Sequence, residues 1–243
     1  MPELFHEGFD DQDVGTELFE AGSDAGVIES DTVRWGSHAY RIALSETQGY
    51  HLLRSVAIDD QSAFWMGWST LHEGPDITYG TELFAIECVT SAAPDPYMED
   101  ILFTLNMNPE TPNVPYFAYG TIDDILDDAQ GGGTPGFDNL DTVEDDNAFS
   151  DWAVHMYLSE SDDGFLELYR NGTLLYSVSG PTRPAACLND KFHVEWTLYR
   201  WQDMPPAQSL VLDEITLIRG PEAPLTDADA LYTLIPESDC FAN

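Results

Sequence analysis

Residues 164–179 read GFLELYRNGTLLYSVS. Two runs in which apolar and polar residues alternate, 164–170 and 173–179, flank Asn171-Gly172. A two-residue type I′ turn needs positive φ at both central positions, and Asn-Gly is a pair that adopts it readily. The stretch therefore predicts a tight β-hairpin. Outward from it, similar short runs rich in Val, Ile, Phe, Tyr and Trp recur at 38–44, 63–70, 81–89, 100–107, 151–158, 191–200 and 209–218. Gly, Pro, Asn and Asp cut them apart, as expected of strands and turns.

No convincing amphipathic helix of ten or more residues competes with these strands. The segment 121–148 differs from the rest: it holds nine acids, no base and the run Gly131-Gly132-Gly133. It reads as a long solvated surface loop, with a short helix at 122–129 as an alternative for that part. No linker divides the chain and no repeat period emerges. Strands without intervening helices predict an all-β fold, a single antiparallel β-sandwich. The sandwich spans 1–220 and a C-terminal extension follows at 221–243.

Charge bounds the function. Among 243 residues, 45 are acidic and 8 basic, a net charge of −37, and Lys191 is the one lysine. Self-repulsion on this scale opposes a compact state at low ionic strength, whereas at about 1 M salt the Debye length falls to roughly 3 Å. The imbalance reads as adaptation to brine or seawater; an acidic protein of ordinary cytoplasm is the blander reading. It also bars nucleic acid, anionic membranes and anionic polysaccharides as partners. No run of eighteen apolar residues suggests membrane insertion. The first residues lack the basic and apolar regions of a secretory signal. Cys88, Cys187 and Cys240 are scattered, which fits reduced thiols or one disulfide and not zinc.

Several segments resemble the concanavalin A-like lectin and glucanase jelly roll, nearest in pattern to heparin-lyase-like polysaccharide lyases and related phage virion sandwich domains. Phe5-His6-Glu7-Gly8-Phe9-Asp10-Asp11, followed by Gly36-Ser37-His38-Ala39-Tyr40-Arg41-Ile42, is similar to the opening two strands of these domains. Phe64-Trp65-Met66-Gly67-Trp68-Ser69 resembles their Trp-Ser strand. Trp152–Tyr157, Asp163–Gly172, Phe192–Arg200 and Leu212-Asp213-Glu214-Ile215 resemble the later strands, so the likeness covers most of 5–219. It implies a jelly roll, a fold that hosts enzymes, lectins and virion proteins alike.

The resemblance raises four kinds of site. A β-eliminating lyase needs a base near C5 and a cation or amide to neutralise the uronate. Strand parity puts His155 and Tyr157 on one face, and His193, Glu195, Thr197 and Tyr199 on a face of another strand. His155, Tyr199 and Arg200 are the lyase-type candidates; Ala85-Ile86-Glu87-Cys88 stands where the lyases carry Gln-Trp-His, which places an acid where a neutralising group belongs. Retaining glucanases carry E-x-D-x-x-E, and Glu82 to Glu87 has that spacing with Phe84 in place of the central Asp. A structural calcium tying the first strand to the last would use Glu7, Asp10 and Asp213, with Asp11 nearby. Sugar stacking would use Tyr116, Tyr119 and Trp201, the two tyrosines lying in a Pro-rich loop.

The leading expectation is a non-catalytic virion structural or adhesion protein (capsid decoration, turret, tail or fibre component) of a virus infecting a high-salt host. Its partners would be other virion subunits, a second copy of itself or a surface glycan. The alternatives are a lyase-type carbohydrate-active enzyme and a free-standing lectin. The charge makes a direct prediction: the melting temperature rises when NaCl goes from about 0.1 M to 2 M. A melting temperature that falls over this range, followed by circular dichroism, contradicts the brine reading.

Overall fold

The computed structural model describes residues 3–11, 19, 26–44, 50–55, 58–59, 63–73, 82–88, 100–107, 115–119, 138–139, 148–182, 191–199 and 208–219. The C-terminal extension and nearly all of the acidic loop, including the alternative helix at 122–129, lie outside them. The strands are β1 (Glu3–Glu7), β2 (Gly26–Glu29), β3 (Ala39–Leu44), β4 (Tyr50–Arg54), β5 (Ile58–Asp59), β6 (Phe64–Glu73), β7 (Glu82–Cys88) and β8 (Asp100–Met107). They continue with β9 (Pro115–Tyr119), β10 (Asp138–Asn139), β11 (Ser150–Tyr157), β12 (Phe165–Arg170), β13 (Thr173–Ser179), β14 (Lys191–Tyr199) and β15 (Gln208–Arg219). All nine strands read from the alternating runs are present.

An eight-stranded sheet runs β13-β12-β11-β6-β15-β3-β2, with β1 also paired to β15. A seven-stranded sheet runs β10-β9-β8-β7-β14-β4, with β5 also paired to β14. Every pairing is antiparallel. The hairpin at β12–β13 turns at Asn171 and Gly172, with φ of 47° and 74°, and Arg170 faces Thr173 across it.

Side chains alternate between the two faces of a strand, so the core is read from every second residue. Phe64, Met66 and Trp68 of β6, and Trp152, Val154 and Met156 of β11, face Phe84 and Ile86 of β7 and Phe192, Val194 and Trp196 of β14 in one cluster. Trp68 stacks on Phe84 at 4.1 Å between centroids and meets Trp196 edge-on at 6.1 Å. Phe64 stacks on Phe192 at 4.8 Å. These contacts cross from one sheet to the other, which makes Phe64, Trp68, Phe192 and Trp196 core residues.

The longest strand changes phase along its length. Leu210 and Leu212 of β15 face the core, and beyond them so do Ile215 and Leu217. The register against β6 jumps from Asp213↔Ser69 to Thr216↔Gly67. The extra residue is accommodated at Glu214, whose φ is 52°, and a bulge of this kind shifts the alternation by one. The bulge also lies where β15 changes partner, from β3 at Leu212↔Tyr40 to β1 at Ile215↔Glu7.

His72, opposite Leu210 on β6, is 3% exposed, and neither ring nitrogen has a partner among the described residues. Burial without a partner pushes its pKa down to about 4. A folded pKa below the unfolded value of about 6.5 means that the neutral ring is the one that folds. Its contribution is intact above pH 6.5 and is lost as pH falls towards 4, by about 3 kcal/mol. His72→Leu should therefore flatten the acid limb of stability measured by urea titration between pH 7 and 4. An unchanged limb refutes this account.

Candidate functional site

The two outer faces of the sandwich differ. On the eight-stranded sheet, Asp151, Ser69 and Asp213 lie side by side on β11, β6 and β15, and the segment from Ser30 to His38 is tied down over them. Asp213 Oδ2 accepts the backbone N–H groups of Arg34 (2.8 Å) and Trp35 (3.1 Å), and Oδ1 accepts that of Glu214 (2.9 Å). Burial pushes this carboxyl up to about 6 against those three donors. The Arg34 guanidinium turns to Asp151 instead, with Nη2 3.1 Å from Oδ2, and Ser69 Oγ donates to the same carboxylate at 2.8 Å. Val33 packs on Ala39, Leu71 and Val211 beneath.

Further along this face, His155 lies flat on Trp65, with centroids 3.9 Å apart and planes 7° apart, and meets Phe165 edge-on. Its Nδ1 is 2.9 Å from Glu167 Oε2, which also accepts the Tyr169 hydroxyl at 3.1 Å. His155 sits on the eight-stranded sheet and Tyr199 on the seven-stranded one, so the two strands' faces do not line one groove. Arg200 lies outside the described residues.

The seven-stranded sheet presents the polar candidate. His193, Glu195 and Thr197 occupy alternate positions of β14, with Val194 and Trp196 between them in the core. All three belong to the outer side, yet they are 6%, 6% and 1% exposed. Tyr199 continues the row in register, opposite Tyr50 of β4. Glu195 stands opposite Arg54 of β4, and their side chains pair at 3.0 Å with little exposure. On its other flank Glu195 faces Ala85 of β7, a side chain too small to fill the row. His193 Nδ1 is 2.9 Å from the carbonyl oxygen of Ser55. A carbonyl can only accept, so Nδ1 carries the proton and the lone pair of the neutral ring is on Nε2. Ser55 fixes this end of the row, donating its N–H to Val194 O and accepting Val194 N–H at Oγ.

This arrangement was only partly visible in advance. Parity places His193, Glu195, Thr197 and Tyr199 together, but Arg54 was missed because residues 50–54 do not alternate and β4 was not read as a strand. The hydrolase-like spacing fails at Phe84, which is fully buried against Trp68. Tyr116 and Tyr119 belong to strand β9 rather than to a loop. Trp201 lies outside the described residues.

The calcium set does not assemble as a cage. Glu7 Oε1 accepts Phe9 N–H at 2.8 Å. Asp10 Oδ1 accepts from the backbone of Ser37 and His38 and from Ser37 Oγ, and the Ser37 N–H above all holds its pKa below the ordinary value. With Asp213 likewise engaged by backbone N–H groups, among the described residues no group of three or more His, Cys, Asp or Glu is placed to hold a metal ion.

Arg54 and Glu195 supply the local test. Removing one partner of a buried pair strands the other charge, whereas replacing both with apolar groups does not. Glu195→Gln should cost about 3 kcal/mol of stability, and Arg54→Met with Glu195→Leu should recover most of it. A single variant as stable as the parent, by chemical denaturation, removes the pair from the account.

No family model and no curated protein sequence matches the chain. Solved structures match it across nearly its whole length. The endo-β-1,4-glucuronan lyase of the fungus Trichoderma reesei has a TM-score of 0.63 at 12% identity, covering 93% of this chain and 97% of that one. A carbohydrate esterase of the Shiga toxin-encoding bacteriophage phi24B has a TM-score of 0.58 at 13% identity, covering 88% and 96%. The carbohydrate recognition domain of Emp47p has a TM-score of 0.55 at 13% identity, covering 85% and 96%. The chain shares the fold of these proteins, an antiparallel jelly-roll β-sandwich.

Proposed function

We propose that the protein is a non-catalytic carbohydrate-binding protein that takes an uncharged glycan on the outer face of its seven-stranded sheet. The observation that carries this reading is the Arg54–Glu195 pair on β4 and β14, at one end of that face. A lyase acting on a polyuronate needs a cation free to neutralise the substrate carboxylate as the C5 proton leaves. Here the guanidinium already holds a carboxylate, and Glu195 stands where an incoming uronate would be repelled. His193 could serve as a base at Nε2, but a base without an adjacent neutralising group does not acidify that proton. A neutral sugar laid over this face meets no such barrier, because it brings no charge for the pair to repel.

Similar folds support the class of ligand, since the structures that resemble this one include a glucuronan lyase, a carbohydrate esterase and a carbohydrate recognition domain. The setting we propose is a virion surface in a high-salt habitat, as a decoration, turret, tail or fibre component. The −37 charge motivates the habitat, and the bacteriophage esterase of similar fold motivates the setting. Co-sedimentation with particles from the native source tests it, and a protein found wholly apart from particles removes it.

A glycan array probed in about 2 M NaCl should show binding to neutral oligosaccharides that Glu195→Lys weakens. Incubation with polyuronates should give no rise in the ultraviolet absorbance of unsaturated uronates. Product formation there overturns the binding reading in favour of a lyase.

A further inference from the structure

The segment that joins β2 to β3 is longer and more tightly held than its task requires. Antiparallel neighbours paired as Glu29↔Ala39 can be joined by about two to five residues. Here residues 30–38 intervene. Carboxylates from three other parts of the chain immobilise them. Asp213 of β15 accepts the N–H groups of Arg34 and Trp35, and Asp151 of β11 accepts from the Arg34 guanidinium. Asp10 accepts the N–H groups of Ser37 and His38. Gly36 has a φ of 68°, and a Cβ there would run into the Asp10 carboxylate. Val33 packs down on Ala39, Leu71 and Val211. A segment fixed on both sides of Trp35 is ordered before any ligand arrives, which lowers the entropy cost of binding.

This platform carries a tryptophan unlike the others described. Trp65, Trp68, Trp152 and Trp196 are each 1% exposed or less. Trp35 is partly exposed and belongs to neither core cluster. The Arg34 guanidinium lies against its ring, with Cζ 4.3 Å from the centroid. The indole N–H has no hydrogen-bond partner among the described residues. Arg34 is itself 31% exposed. Its Nε and Nη2 face Asp151, and Nη1 makes no hydrogen bond among the described residues. One rigid segment therefore holds an aromatic ring and two N–H donors with nothing to donate to.

We infer that Arg34 and Trp35 form a second sugar-contact site, on the outer face of the eight-stranded sheet, that takes an uncharged pyranose unit. The C–H face of such a ring lies on the indole, and its oxygens accept the indole N–H and the Nη1–H of Arg34. Charge selects the ligand. Asp151 already matches the guanidinium, and Asp10, Asp11 and Asp31 are exposed on this segment or the one it is tied to, so an anion is repelled. Size argues against a protein partner. A stable interface buries roughly 1,200–2,000 Å² around an apolar centre. The exposed large hydrophobic residues among those described, Val27 and Leu174, both lie outside this segment. A sugar unit needs no more than the ring and the donors. The inference rests on the glycan reading above and extends it. The outer faces of the two sheets point away from each other, so a protein holding sugar at Arg54–Glu195 and at Arg34–Trp35 is bivalent and joins separate glycan strands.

Isothermal titration calorimetry and tryptophan fluorescence of the full chain with cellohexaose, xylohexaose and mannohexaose, in about 2 M NaCl, test this. The parent should bind at least one of the three at two sites, with a change in tryptophan emission. Trp35→Ala should leave one site and remove most of that change. Trp35→Tyr keeps a ring and should recover the second site at about tenfold weaker affinity. Glu195→Lys should weaken the other site and keep the emission change. A parent that binds at one site, weakened by Glu195→Lys and untouched by Trp35→Ala, overturns the second site alone. Two sites that both survive Trp35→Ala do the same. A parent that binds none of the three overturns this inference and the glycan reading together.

Discussion

The bulge in β15 is the constraint on which the rest depends. One added residue at Glu214 lets a twelve-residue strand keep apolar side chains on the core while it changes partner from β3 to β1. Without it, Ile215 and Leu217 would turn outward and Thr216 and Ile218 inward, since a one-residue slip exchanges the faces. The bulge also explains why Asp213 is fully buried. Its carboxylate collects the N–H groups of Arg34, Trp35 and Glu214 and so fixes the segment that covers this face. A positive φ at a glutamate is held in place by that network and by the bond that His6 Nε2 donates to Glu214 Oε2, which raises the histidine's pKa.

Four arginines among the described residues belong to the architecture of the fold. Arg34 pairs with Asp151, Arg41 with Glu29 and Glu73, and Arg54 with Glu195, while Arg170 of β12 donates to Ser150 Oγ of β11. Each joins neighbouring strands or pins a segment onto a sheet. At the candidate face too the arginine present, Arg54, is already matched by a carboxylate.

The fold was legible because it is written in a local code. Alternation and turn residues are properties of neighbours in sequence, so nine strands and the Asn171-Gly172 turn could be read directly. The candidate site depends on which strands meet, and that information is long-range. Parity put His155 and Tyr157 on one face of a strand, but nothing in 151–158 says that the face is the far side of the eight-stranded sheet. Arg54 lay in Tyr50-His51-Leu52-Leu53-Arg54, whose apolar residues are adjacent rather than alternate, so its place beside Glu195 had no local signature. In so acidic a chain Glu7, Asp10 and Asp213 were indistinguishable from surface carboxylates, and their roles as backbone acceptors rest on the loops that reach them.

The pairing of β1 with β15 sets a timetable for synthesis. Glu3 lies opposite Arg219, so β1, once synthesised, waits for β15 before the two can pair. At about 5–20 residues per second, the interval is roughly 10–40 s. Throughout it, Leu4 and Phe5 have no strand to join, and the non-local order of the sheets makes folding slow even after release. The abundance of acidic charge then acts on the nascent chain as well as on the finished one, holding neighbouring unfinished copies apart until the C-terminal strand arrives.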